Sequence, residues 1–138
     1  MINIDNIAPH ETLHIRQAVL WPSLDLSECA LPDDANGVHL GAKFNDQLIG
    51  VVSAFSDGRR MQFRKFAVLN EFQNSGIGTL LLTHLLRLAA DTGANEVWCD
   101  ARCDATDFYH RFGFKTVGAE FLKNGVRYIV MSLNTAEV

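Results

Sequence analysis

Cysteine is scarce in this chain: there are three, Cys29, Cys99 and Cys103, an odd number with no CxxC pair. That excludes a disulfide framework and the paired spacing of zinc or redox sites, and it fits a reducing cytoplasm. Positive charge is also short, twelve Lys and Arg against sixteen Asp and Glu for a net −4, with no basic tail. Nucleic-acid binding, whose affinity comes largely from neutralising phosphates, is not expected. Long apolar runs are missing: the richest segment, Leu80 to Ala90, is broken by Thr83, His84 and Arg87, and no cationic start precedes an apolar stretch in Met1 to His10. Neither a membrane span nor a signal peptide is expected. What is present is ordinary globular material, with nine Phe and two Trp among 138 residues. One domain over residues 1–138 is the natural reading, with a core that needs neither metal nor disulfide.

Glu11 to Leu20 spaces its apolar residues among polar ones and is stopped by Trp21-Pro22, which predicts an amphipathic helix. Ser23 to Gly37, carrying Pro32 and the acids Asp25, Glu28, Asp33 and Asp34, reads as a loop with a short helical turn. Val38 to Phe44 and Leu48 to Phe55, rich in β-formers, flank Asn45-Asp46-Gln47 as an antiparallel hairpin, and Met61 to Val68 follows as a third strand. The period then changes. Thr79, Thr83, Arg87 and Asp91 recur every four residues as one polar stripe on a helix otherwise made of Ile77 and leucines. Gly93 suits its C-terminal cap, and Glu96 to Ala101 is a short apolar strand. Asp104 or Thr106 is expected to cap a short helix through Phe112, with Phe114 to Val117 and Val126 to Leu133 as closing strands.

Between the third strand and the long helix lies Gln73-Asn74-Ser75-Gly76-Ile77-Gly78. A glycine loop feeding a helix N-terminus offers unpaired backbone N–H groups at the positive end of the helix dipole, which suits a phosphate. A P-loop would need Gly-Lys-Ser/Thr where Gly78-Thr79-Leu80 stands. A Rossmann loop would need a small third residue where Leu81 stands, although Asp100 imitates its ribose acid. What remains is Gln73-x-x-Gly76-x-Gly78 in mid-chain, with Tyr109-x-x-x-Gly113-Phe114 some thirty residues downstream. Together they resemble the acyl-CoA loop and the Tyr-x-x-x-Gly-Phe segment of the GNAT family of N-acetyltransferases, a resemblance that covers essentially the whole chain.

The resemblance implies an α/β (α+β) fold, a mixed, splayed sheet of six to seven strands with helices on both faces. It implies acetyl-CoA as acyl donor, with the backbone of Phe66, Ala67 and Val68 pairing with pantetheine. The N–H groups from Gln73 through Asn74, Ser75, Gly76, Ile77 and Gly78 to Thr79 would hold the pyrophosphate, and Asp100 stands where it either contacts CoA or acts as a base. The acyl group would pass directly to a primary amine of an unidentified acceptor, with Tyr109 as general acid to the departing thiolate. The alternative is a module of the same fold that binds or senses acyl-CoA without turnover. The base is open between Glu71, Asp100 and water relayed through backbone carbonyls. Metal is not implied, and a homodimer is left open. Cys99 alternates with Val97 and reads as core, so no acyl-cysteine intermediate is expected. His84 reads as a packed core histidine. Arg59, Arg60, Arg64 and Lys65 read as a solvated strand edge, the alternative being contact with a CoA or substrate phosphate, and the loop acids as a plain solvated loop, the alternative being attraction of a cationic amine acceptor.

Overall fold

The computed structural model describes residues 1–137. In chain order the elements are β1 (Ile2–Ile7), α1 (Leu13–Val19), β2 (Val38–Phe44), β3 (Gln47–Asp57), β4 (Arg60–Val68), α2 (Ile77–Asp91), β5 (Glu96–Arg102), α3 (Thr106–His110), β6 (Lys115–Lys123) and β7 (Val126–Asn134). The strands form a seven-stranded mixed sheet in the order β1-β2-β3-β4-β5-β7-β6. The chain forms two compact units, one of Met1–Phe55 and Phe63–Arg87, the other of Ser56–Gln62 and the residues from Leu88 onward.

In the first unit the β2–β3 hairpin closes on Asn45 and Asp46, both left-handed at φ +50° and +67°. Two consecutive positive φ values make the primed turn whose twist matches the flanking strands, and Asn and Asp tolerate them best after glycine. The turn is therefore two residues long, with Gln47 already in β3 rather than in the connection. Strand alternation sends Gly50 and Val51 to opposite faces. Val51 joins Ile7, Ile15 and Ala67 in a cluster under α1. Gly50 faces α2, where an added Cβ would meet Leu81 Cδ1 at 3.2 Å and Ile77 Cγ2 at 3.4 Å. The missing side chain lets the helix approach the strand closely. Leu81, Leu82 and Leu85 are fully buried, and each such side chain contributes about 1.5–3 kcal/mol. The polar stripe survives as expected, with Thr79, Arg87 and Asp91 exposed.

The second unit is built on β5, which pairs in parallel with the start of β4 from Arg60↔Glu96 to Gln62↔Trp98. Its other edge runs antiparallel to β7 from Glu96↔Asn134 to Arg102↔Tyr128. Val97, Cys99 and Ala101 point inward with Met131, Leu133 and Phe114. β6 closes the edge of the sheet through a hairpin turning on Asn124 and Gly125, at φ +52° and +78°. Its ladder breaks between Val117 and Phe121.

Three expectations need correction. β1 was not anticipated: its residues Asn3, Asp5 and Asn6 disfavour strands, and the segment is extended because it pairs with β2 from Ile2↔Phe44 to Ile7↔His39. α3 stops at His110, and neither Asp104 nor Thr106 caps it. Asp104 pairs with Arg102 at 3.4 Å, and the Thr106 hydroxyl donates back to Cys103 O at 3.4 Å. His84 is only half-buried, its Nδ1 3.0 Å from Leu80 O one turn earlier, because it lies at the rim of the apolar arc.

Candidate active site

The glycine loop follows β4 through a 3-10 turn at Asn70–Phe72. Gln73 Nε2 donates to Val68 O at 2.9 Å and to Asn70 Oδ1 at 3.1 Å, tying the loop to the end of the strand. The Ser75 hydroxyl donates to the Phe72 carbonyl. Asn74 and Gly76 are left-handed, at φ +61° and +88°. These two turns bring the chain into the first turn of α2, a helix of fifteen residues. The first amides of a helix have no carbonyl four residues behind them. The first bond back to the loop is from Leu80 N to Gly76 O at 3.1 Å. Residues 73–76 are exposed, and a Cβ built on Gly76 meets nothing within 4 Å. The loop is thus open at a positive helix end, with the Gln73 N–H already donated to Asn70 O at 3.2 Å. Gly78 already lies inside the helix, so its glycine is not required by a left-handed backbone.

The strand before the loop holds Phe66, Ala67 and Val68; Ala67 is buried in the α1 cluster, and Leu69 N donates to Ile49 O at 2.9 Å. Glu71 is exposed in the 3-10 turn. These residues and the glycine loop belong to the first unit, whereas Asp100 and Tyr109 belong to the second.

Tyr109 sits in α3 with its ring 5.2 Å from Phe108 and 5.9 Å from Phe114, both edge-on. Its carbonyl accepts from Phe112 N at 3.0 Å and Phe114 N at 3.2 Å, and the chain turns away through Gly113 at φ +98°. Burial raises the phenol well above its ordinary value, with a smaller contribution from Cys99, so the hydroxyl keeps its proton. Asp100 is half-buried and pairs with Lys123 Nζ at 3.7 Å, while Lys123 lies 4.6 Å from the centre of the Tyr128 ring. Cys99 is buried and its thiol is pushed up to about 12, chiefly by burial, which removes the thiolate that an acyl-cysteine route requires. Among the described residues no group of three or more His, Cys, Asp or Glu is arranged to hold a metal ion, and no helix is long and apolar enough to cross a membrane.

The basic cluster is solvated at Arg59 and Arg60, which are exposed, and partly covered at Arg64 and Lys65, with the Arg60 and Arg64 guanidinium groups paired. Arg60 Nε meets Glu96 Oε1 at 2.6 Å and its guanidinium lies 5.0 Å from the Trp98 ring, while Arg64 pairs with Asp33 at 3.3 Å. The loop acids divide as well. Asp25 and Glu28 stay exposed, but Asp34 is buried against Arg16, which is itself fully buried. Arg16 Nη1 donates to Asp34 Oδ2 at 2.7 Å and to Cys29 O at 3.0 Å. Its Nη2 donates to Asp34 Oδ1 at 2.9 Å and Ser53 Oγ at 2.9 Å. His39 completes the group, with Nδ1 2.7 Å from Ser53 Oγ and Nε2 2.9 Å from Asp34 O. Burial works against the Asp34 carboxylate, but the bonds from Arg16 and the Leu31 N–H outweigh it and hold its pKa below the usual value. The sequence reading missed this network. Its signal was a loop acid with no local base, beside a His and a Ser set in apolar strands.

A mixed sheet with a glycine loop between its fourth strand and the following helix defines the class of acyl-CoA N-acyltransferase folds. The chain belongs to the GNAT family: residues 29–135 match the family's acetyltransferase (GNAT) domain. It is 28% identical to the uncharacterized N-acetyltransferase YitI of Bacillus subtilis (strain 168) over 95% of both chains. Its fold matches the crystal structure of a putative N-acetyltransferase from Lactobacillus plantarum at TM-score 0.86 and 17% identity, over 97% of this chain and 98% of that one. A GNAT family acetyltransferase from Elizabethkingia anophelis with acetyl-CoA bound matches at TM-score 0.74 and 20% identity, over 96% and 97% of the two chains.

Proposed function

We propose that the protein transfers an acetyl group from acetyl-CoA directly to a primary amine. The observation that carries this reading is the open loop entering α2, where Asn74 and Gly76 are left-handed and a Cβ on Gly76 would meet nothing within 4 Å. The Gln73 N–H is taken by Asn70 O, so the pyrophosphate would rest on the amides from Asn74 to Thr79, a cradle of main-chain donors. The cradle suits a pyrophosphate and needs no lysine, because the donors are main-chain and the helix dipole supplies the field. In this reading the backbone of Phe66, Ala67 and Val68 pairs with the pantetheine amides.

In this reading the neutral amine attacks the thioester carbonyl carbon, the carbon–sulfur bond breaks, and the thiolate takes the Tyr109 proton. The proton lost by the amine goes to Glu71, Asp100 or a relayed water, and Tyr109 regains its own from solvent. The products are CoA thiol and an acetylated amine. Tyr109 suits the acid role because burial keeps it protonated across the working range. Dimerisation and cytoplasmic residence are part of the same proposal and are read by sedimentation and by fractionation of cells.

The test is a panel of amino acids, polyamines, aminoglycosides, peptides and proteins incubated with acetyl-CoA, following free thiol and then product mass. Thiol release together with an acetylated product supports the reading. Tight acetyl-CoA binding with no release across the panel would replace it with the acyl-CoA-sensing module.

A further inference from the structure

Lys65 departs from the strand that contains it. Its φ is +55°, in the left-handed region, in the middle of β4. Consecutive side chains of a regular strand point to opposite faces. Here Arg64 and Lys65 reach the same segment, residues 20–37: Arg64 Nη1 lies 3.3 Å from Asp33 Oδ1, and Lys65 Nζ lies 4.3 Å from the centre of the Trp21 ring. Neighbours on the other face shift in step. Phe63 and Phe66, three residues apart and so on opposite faces of a regular strand, hold their rings edge-on at 6.1 Å. A change of parity at one left-handed residue is what a β-bulge produces, and bulges re-aim the strand beyond them.

A lysine held left-handed needs its surroundings to hold it there. Trp21 is well fixed for that task. Its N–H donates to Arg16 O at 3.1 Å at the end of α1, and its carbonyl accepts from Leu24 N at 3.1 Å. Further along, the same segment is pinned by the Arg16 guanidinium through Cys29 O and Asp34. An ammonium within about 6 Å of a tryptophan face is attracted by the ring quadrupole.

We propose that Trp21 is a positioning residue: its ring holds the Lys65 ammonium, keeps β4 kinked at residue 65, and thereby sets the backbone of Phe66–Val68 for its ligand. The identity of that ligand rests on the proposed function; the buttress itself does not.

The test uses Trp21→Ala, Trp21→Leu to keep an apolar filler should the alanine variant fail to fold, and Lys65→Gly alone and combined with Trp21→Ala. Glycine adopts the left-handed conformation without support, so it frees the kink from dependence on Trp21. The acetyl-CoA dissociation constant, read by calorimetry, is expected to rise about tenfold in Trp21→Ala and Trp21→Leu. It should stay within about twofold in Lys65→Gly and within about threefold in the double variant, since glycine restores the backbone. Exchange of the Leu69 amide, bonded to Ile49 O at 2.9 Å, should follow the same order without ligand. A folded Trp21 variant with parental affinity and parental Leu69 exchange overturns the proposal. So does a double variant as impaired as Trp21→Ala, because rescue by glycine is what a packing role alone would not give. If the parent itself shows no heat with acetyl-CoA, the proposed function fails, and the Leu69 exchange series alone decides the buttress.

Discussion

Tyr109 carries both a ring and a hydroxyl, and the two can be separated. Tyr109→Phe keeps the contacts to Phe108 and Phe114 and removes only the donor. Turnover is expected to fall by roughly 10²–10⁴-fold with little change in melting temperature or acetyl-CoA affinity. Tyr109→Ala should in addition lose stability, by less than the ~3–5 kcal/mol of a fully buried ring, because the side chain is half-buried. Full activity in Tyr109→Phe would remove the hydroxyl from the mechanism. Because the phenol is raised and is needed protonated, kcat/KM should show no alkaline loss from this group below about pH 10. Arg16 and Asp34 act at the same scale but on stability. Arg16→Met strands a buried carboxylate and should cost about 3–5 kcal/mol at pH 7, read by urea unfolding. The folded pKa of Asp34 is depressed, so its contribution is present above the unfolded value of about 3.9 and is lost as pH falls through the lower folded value. Asp34→Asn should therefore flatten the acid limb of stability against pH. A parental acid limb in that variant would show that the carboxylate is not what unfolds the protein in acid.

Among the elements, the glycine loop is open to the most direct test. Gly76 stands at φ +88° and its missing side chain would point into open space, whereas Gly78 is helical. Gly76→Val therefore combines backbone strain with a branched side chain in the cradle, and it should weaken acetyl-CoA binding by more than tenfold, seen by calorimetry, while the protein still melts cooperatively. Gly78→Ala carries no such strain, and any loss of affinity there reports steric approach of the ligand alone. Equal affinity in both variants and the parent would reduce these glycines to turn residues. The loop was legible in the sequence because glycine spacing and helix period are local properties. The left-handed state of Asn74 was not legible, since nothing but the need to enter α2 forces that residue to turn.

At the scale of the whole molecule, a ligand held only by the folded loop stabilises the fold by mass action. Acetyl-CoA at about 100 times its dissociation constant should add roughly 2.7 kcal/mol, visible as a higher melting temperature that depends on ligand concentration. NAD and ATP should give no such shift. A larger shift with NAD would revive the dinucleotide reading that Asp100 imitates.

Period and local chemistry in the sequence determined most elements of this protein: α2 from its four-residue polar stripe, β2 through β5 from their β-formers, the glycine loop and the Tyr109 segment from residue spacing. These are signals between neighbours in the chain, and such signals survive without a fold. Only the tertiary structure decided what distant residues do to each other. β1 is a strand because β2 offers it a ladder, although its own residues argue otherwise. Arg16, on a helix that reads as merely amphipathic, is buried because Asp34, eighteen residues on, neutralises it and Ser53 on β3 completes its bonds. Lys65 turns left-handed inside a strand where an indole face from residue 21 receives its charge. In each case the free energy of a local rule was outweighed by a partner that chain connectivity alone does not bring near.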